Sequence, residues 1–89
     1  MNDTTEIRTP EFSSTDIELH AAIEAVAKVQ TVVTLDDATG FGRFSVPYID
    51  KVQDVINGFA AGTLLCNAKD LLVIRRHLFR KVKNLSGRG

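Results

Sequence analysis

The sequence predicts a small α+β domain in which a β-hairpin packs against three helices. Three stretches with apolar residues at spacings of three and four predict the helices, and two stretches rich in β-branched and aromatic residues predict the strands. The predicted order is αββα(β)α, with a third short strand left open. Two strands bury little surface by themselves, so the helices must cover one face of the hairpin.

The chain has 89 residues, which is the length of one small domain. Residues 1–11 are polar, contain Pro10 and lack apolar periodicity, so we expect a flexible N-terminal arm. Residues 12–86 form the predicted domain, and residues 87–89 form a short flexible tail. Dimerisation would help so small a core, and the sequence leaves a homodimer open.

The first helix is predicted from Thr15 to Ala27 or Lys28. Thr15 and Glu18 have the spacing of a capping box, in which the threonine caps the helix and the glutamate reaches back to it. Apolar residues then recur at helical spacing: Leu19, Ala22, Ile23, Val26 and Ala27.

The hairpin and the second helix follow. Residues 29–35 (VQTVVTL) and 43–46 (RFSV) predict antiparallel strands, joined by the turn-forming residues 36–42 (DDATGFG). Pro47 has no N–H to leave unpaired, which favours the first position of a helix, so Pro47 is predicted to open the second helix, which follows as Tyr48 to Ala60. Gly62 suits its C-terminal end, and residues 63–66 predict an extended link or the third strand.

The last and longest helix is predicted from Asn67, a good N-cap, to Leu85. Its apolar face consists of residues at spacings of three and four, widened by Leu72 and Phe79: Ala68, Leu71, Ile74, Leu78, Val82 and Leu85. A neighbouring stripe is basic and contains Lys69, Arg76, Arg80 and Lys83. Arg75 projects beside the apolar arc, and the sequence leaves its counter-charge open.

Charge is distributed unevenly along the chain, although the formal net charge is zero. Residues 1–40 carry eight acidic and two basic side chains, whereas residues 61–89 carry seven basic and one acidic. Such a basic segment predicts phosphate contacts through the stripe, aided by Phe41 and Arg43 at the hairpin tip. Plain solvation of the stripe, or its neutralisation by the acidic first helix, is the alternative interpretation.

Few residues suit catalysis or metal binding. Neither His20 nor His77 has a spacing to Cys66 that suggests a catalytic pair, so both histidines are interpreted as surface or half-buried residues. One cysteine and two distant histidines do not make a zinc site, and Asp36 and Asp37 are interpreted as solvated turn residues. We therefore predict a non-enzymatic protein with no metal and no cofactor.

The sequence also predicts a soluble, cytoplasmic protein without a membrane partner. Cys66 is the single cysteine, so no intrachain disulfide forms. The acidic N-terminus lacks the apolar segment of a signal peptide, and no apolar run approaches the ~20 residues that span a bilayer.

Residues 12–22 (FSSTDIELHAA) resemble the start of a family of short, uncharacterised proteins from phages and mobile elements. Similar features follow in order, namely the Asp36-Asp37 pair, Arg43-Phe44, Phe59 before Gly62, and residues 71–78 with a helix arginine. The resemblance covers residues 12 to about 83. Phe79 departs from it where a basic residue is expected, and Ala60-Ala61-Gly62 lacks an expected aromatic. The resemblance implies a fold layout and a phage-like setting but no activity.

These observations favour a small binding protein, encoded by a phage or mobile element, that contacts DNA or RNA through the basic face of its last helix. The alternative is a protein-binding module, such as a phage-encoded inhibitor or adaptor of a host protein. That module would act through the acidic first helix, with Asp16, Glu18 and Glu24, or through an apolar dimer face.

Overall fold

The computed structural model describes residues 10–86, in which three helices pack on a three-stranded antiparallel sheet. The elements in chain order are β1 (Glu11–Ser14), α1 (Ile17–Ala27), β2 (Val32–Leu35), β3 (Gly42–Pro47), α2 (Asp50–Ala61) and α3 (Ala68–Leu85). The predicted α+β class, with a hairpin and three helices in this part of the chain, is confirmed.

The central strand of the sheet is β3, in the order β1-β3-β2. The predicted hairpin is β2–β3, with Val33 opposite Phe44, and β1 pairs with the other edge of β3, with Phe12 opposite Val46. The third strand therefore comes from the N-terminal side and not from residues 63–66. That link stays irregular because the N–H groups of Thr63 and Leu64 bond the carbonyl of Gly58 at the end of α2, at 2.9 and 3.2 Å.

The predicted arm and tail fall mostly outside the described residues, on residues 1–9 and 87–89. The last residue of the predicted arm, Glu11, is the first residue of β1. Pro10 is held as well, because its carbonyl accepts from the N–H of Tyr48 at 2.7 Å.

Two predicted helix starts are wrong. The N-cap of α1 is Asp16 rather than Thr15, and its carboxylate accepts from the N–H groups of Glu18 and Leu19 at 3.1 and 3.2 Å. At the positive end of a helix dipole, the carboxylate of Asp16 is a stronger hydrogen-bond acceptor than the hydroxyl of Thr15. Pro47 does not start α2 but ends β3 opposite Glu11, because the hydrogen bond from the N–H of Tyr48 to the carbonyl of Pro10, just before β1, keeps the chain extended there.

The core lies between the inner face of the sheet and α1, which packs against both α2 and α3. Ile23 of α1, Phe44 and Val46 of β3, and Leu78 of α3 are buried. Leu72 and Phe79, which the sequence places on the apolar face of α3, are instead 57% and 58% exposed. Both residues lie at the same edge of the apolar arc, about 100–120° around the helix from the buried Leu78, and the small sheet does not cover that edge.

Gly42 marks a close approach of α3 to the sheet. A Cβ atom at this position would lie 2.6 Å from Cγ2 of Val82, a stiff β-branched side chain. We expect Gly42→Ala to lower the free energy of unfolding by about 1–3 kcal/mol through overpacking, as measured by urea denaturation. Ser13→Ala, on the exposed face of β1, is the control and should change it by less than about 0.5 kcal/mol. Equal stability of the two variants would contradict the close approach.

None of the helices between residues 10 and 86 combines the length and the apolar character that a membrane crossing requires.

Candidate nucleic-acid interface

The candidate interface is the basic stripe of α3, formed by Lys69, Arg76, Arg80 and Lys83. The helix begins as predicted, because the side-chain oxygen of Asn67 accepts from the N–H of Asp70 at 3.0 Å. At 100° per residue the four cations share an arc of about 60°, roughly opposite the buried Leu78. All four side chains are exposed. The core packing of Leu78 therefore fixes the direction of the stripe, which is away from the sheet.

Ion pairs within residues 10–86 use arginines outside the stripe. Nε of Arg75 lies 3.6 Å from a carboxylate oxygen of Glu18, and a guanidinium nitrogen of Arg43 lies 3.8 Å from a carboxylate oxygen of Asp36. The counter-charge of Arg75 is thus on α1. In the described part of the chain, Glu18 neutralises Arg75 and leaves the charge of the stripe in place.

The acidic residues of α1 have structural partners. Asp16 caps the helix, Glu18 pairs with Arg75, and the carboxylate of Glu24 accepts from the N–H of Thr31 at 3.1 Å. Glu24 also borders a shallow groove with Arg76 and other α3 side chains, so it lowers the positive potential at one side of the stripe. Among these three acidic residues, Glu24 is therefore the one that offsets positive charge of the stripe, on the side of Arg76.

Arg43 is not brought to the stripe. Side chains alternate between the two faces of a strand, and both neighbours of Arg43 face inward: Gly42 towards Val82, and Phe44 into the core. Arg43 consequently projects from the outer face of the sheet, where it meets Asp36. Its predicted contribution to the same interface has no geometric support.

Phe41 lies near the edge of the stripe. Its side chain is 68% exposed and, with Phe79, lines a groove of about 360 Å³ between the hairpin tip and α3. Phe79 is three residues after Arg76 and four before Lys83, so it is a neighbour of both on the helix surface. Sequence reasoning assigned Phe79 to the core, although its place beside those two cations was visible in the helical periodicity.

His20 differs from its prediction as a surface or half-buried residue, because it is fully buried. Its ring stacks on Phe12 at 5.6 Å and lies 5.5 Å from Phe44, and Nε2 is 2.9 Å from the hydroxyl oxygen of Ser14. Burial lowers the pKa of the imidazole from 6.5 to about 4, against the raising effect of the Asp16 charge. The ring is enclosed by aromatic side chains, so its contact with Ser14 is a core hydrogen bond.

Metal binding has no support in residues 10–86, where no group of three or more histidine, cysteine or carboxylate side chains is arranged to hold an ion. Cys66 is exposed and free.

Comparison of the chain with protein-family models, with curated proteins and with solved structures gave no match.

Proposed function

We propose that this protein is a small non-enzymatic binding protein that contacts DNA or RNA through the basic stripe of α3. The observation that supports the proposal is the exposure of four cations on one face of a helix whose opposite face is fixed in the core. The resemblance to short phage and mobile-element proteins implies that such an element encodes this protein.

The stripe has the dimensions of a backbone contact. Lys69 and Lys83 are fourteen residues apart, which corresponds to about 21 Å along a helix axis. Cations in such a row neutralise successive phosphates and release their counterions, which gives binding that depends little on sequence and strongly on salt. The last turn carries Lys83, where a cation also stabilises the helix dipole.

The aromatic groove gives the proposal a second contact. Phe41 and Phe79 expose ring surface beside the stripe, and nucleic-acid bases stack on such rings when a strand is single. Phosphates along the stripe would then place neighbouring bases over the groove. The proposal therefore includes a preference for single strands over duplex.

Direct retardation tests the proposal. Labelled single-stranded and duplex DNA and RNA are titrated with the protein at increasing salt, and we expect retardation at low salt that weakens steeply as salt rises. Absence of retardation at low salt with every polymer would overturn the proposed function.

Phe41→Ala tests the aromatic contact. Because the ring is exposed, we expect the fold to survive and the affinity for a single strand to fall about 5- to 100-fold, the equivalent of one lost stacking contact. Fluorescence anisotropy with a labelled oligonucleotide measures the loss. Leu65→Ala removes another exposed apolar side chain, 90% accessible and in the link before α3, and should leave the affinity unchanged. A similar loss in both variants would contradict the assignment to the groove.

The second candidate is a protein-binding module, and exposed apolar side chains favour it. Leu65, Leu72 and Val73 are 90%, 57% and 58% exposed. The acidic form of this hypothesis is weaker, because Asp16, Glu18 and Glu24 already have partners within the fold. Capture of one host protein that survives nuclease treatment and is lost in Leu72→Asp would support this candidate, and persistence of the capture in that variant would count against it.

A further inference from the structure

Within residues 10–86, the outer edge of β2 carries backbone groups that have no strand partner. In the order β1-β3-β2 the strand pairs on one side with β3, and its other side is an edge of the sheet formed by the described residues. The N–H of Asp36 donates to the carbonyl of Phe41 at 2.9 Å, which fixes the alternation of the antiparallel ladder. By that alternation Thr34 bonds to β3, and the N–H and C=O groups of Val33 and Leu35 point outward. The same alternation directs the N–H of Thr31 away from β3, and this N–H indeed donates to the carboxylate of Glu24.

This edge strand is short, but it carries none of the side chains that usually protect an edge. Residues 32–35 (VVTL) contain no charge, no proline and no glycine. Val32 is 59% exposed and Thr34 is exposed on the outer face. The other edge strand, β1, differs because Pro10 and Glu11 stand at its start.

A groove lies beside the first half of the free edge. It has a volume of about 410 Å³ and lies between residues 30–33 and the last turns of α3, where Lys81, Asn84 and Leu85 line it. Val32 and Val33 point to opposite faces of the strand, so a groove that touches both runs along the backbone edge. This groove lies where an additional strand would sit if it paired with β2.

We propose that β2 pairs with β2 of a second copy of this chain, antiparallel about a two-fold axis at Thr34, to give a continuous six-stranded sheet. In this register Val33 lies opposite Leu35 of the second copy. The outward N–H and C=O groups of both residues are then bonded in each copy, and the hydrogen bond from Thr31 to Glu24 is retained.

Charge complementarity favours a second copy as the occupant. Antiparallel pairing brings Thr31, just before β2, near the turn that follows β2 in the second copy, which contains Asp37. Lys81 lines the groove beside Thr31, and Asp37 is exposed in the turn. Each end of the seam therefore brings a lysine of one copy near an aspartate of the other. Each copy carries both halves of this match, Lys81 on α3 and Asp37 after β2, so the edge region is complementary to itself.

The test uses the full chain and a pair of opposite charges at Thr34. On the two-fold axis Thr34 faces Thr34 of the second copy at a position where side chains are closest. Thr34→Lys and Thr34→Glu each place like charges together, so each variant alone should dimerise at least about tenfold more weakly than the natural chain. An equimolar mixture places lysine opposite glutamate and should restore the dimer. Sedimentation velocity over a concentration series measures all three samples.

Ser13→Lys is the matched control, because it adds the same charge to the exposed face of the other edge strand. It should remain dimeric, and circular dichroism should show that all the variants stay folded. The proposal is overturned by a natural chain that is monomeric at every concentration, by dimers that persist in both Thr34 variants, or by a mixture that stays monomeric. The inference is independent of nucleic-acid binding.

Discussion

Charge reversal at Arg76 and Arg80 together is expected to abolish retention of DNA and RNA. Each substitution to glutamate would remove one of the proposed phosphate contacts and add a repulsive charge, so the affinity should fall by at least about 100-fold and the salt slope by about 2. Both side chains are exposed and glutamate is a good helix former, so α3 should remain folded. Anisotropy titrations at several salt concentrations measure both quantities.

Lys51→Glu provides the matched control for the single variant Arg80→Glu. Lys51 is exposed on α2 and outside the stripe, and the two substitutions change the net charge equally. We expect Arg80→Glu to weaken binding much more than Lys51→Glu. Equal losses would show that binding follows net charge and would contradict the assignment of the interface to α3.

Acidification is expected to destabilise the fold through His20. The pKa of the imidazole is 6.5 in the unfolded chain and about 4 in the folded one, so the unfolded state binds the proton more tightly. The contribution of the neutral ring is therefore fully present above pH 6.5 and is lost as the pH falls through 4. We expect the free energy of unfolding to decrease by about 2 kcal/mol across this interval, as measured by urea denaturation at each pH.

Two glutamine variants isolate this effect from the titration of carboxylates. His20→Gln removes the titrating ring and keeps a hydrogen-bonding group near Ser14, so the decrease between pH 6.5 and 4 should be smaller than in the natural chain. His77→Gln, at an exposed position of α3, should retain the full decrease. The same pH profile in His20→Gln and the natural chain would rule out His20 as the source.

The sequence predicted α3 well because local rules determine most of it. The Asn67 cap is formed within one turn of helix, and the spacing of apolar residues directs Leu78 inward and the cations outward. Those interactions involve residues close in the chain, so they could be derived without a partner element. For the same reason the exposure of Lys69, Arg76, Arg80 and Lys83 agrees with the stripe that the sequence predicted.

The groove beside the stripe could not be derived in the same way. Phe41 and Phe79 are distant in sequence, and they line one groove because the hairpin tip lies against α3 at Gly42. Periodicity placed Phe79 at the edge of the apolar arc but could not show how wide a sheet would cover it. Its exposure follows from the narrow sheet of three strands in the described chain.

The sequence by itself thus determined the helices, the hairpin, the α+β class and the basic face of α3. The tertiary structure decided which segment became the third strand, why Pro47 stays extended, how deeply His20 is buried, and that Arg75 pairs with Glu18. Each of these depends on contact between segments far apart in the chain, such as β1 with β3 or α1 with α3. Periodicity and capping describe neighbours within one element, whereas burial and ion pairing depend on which element packs alongside.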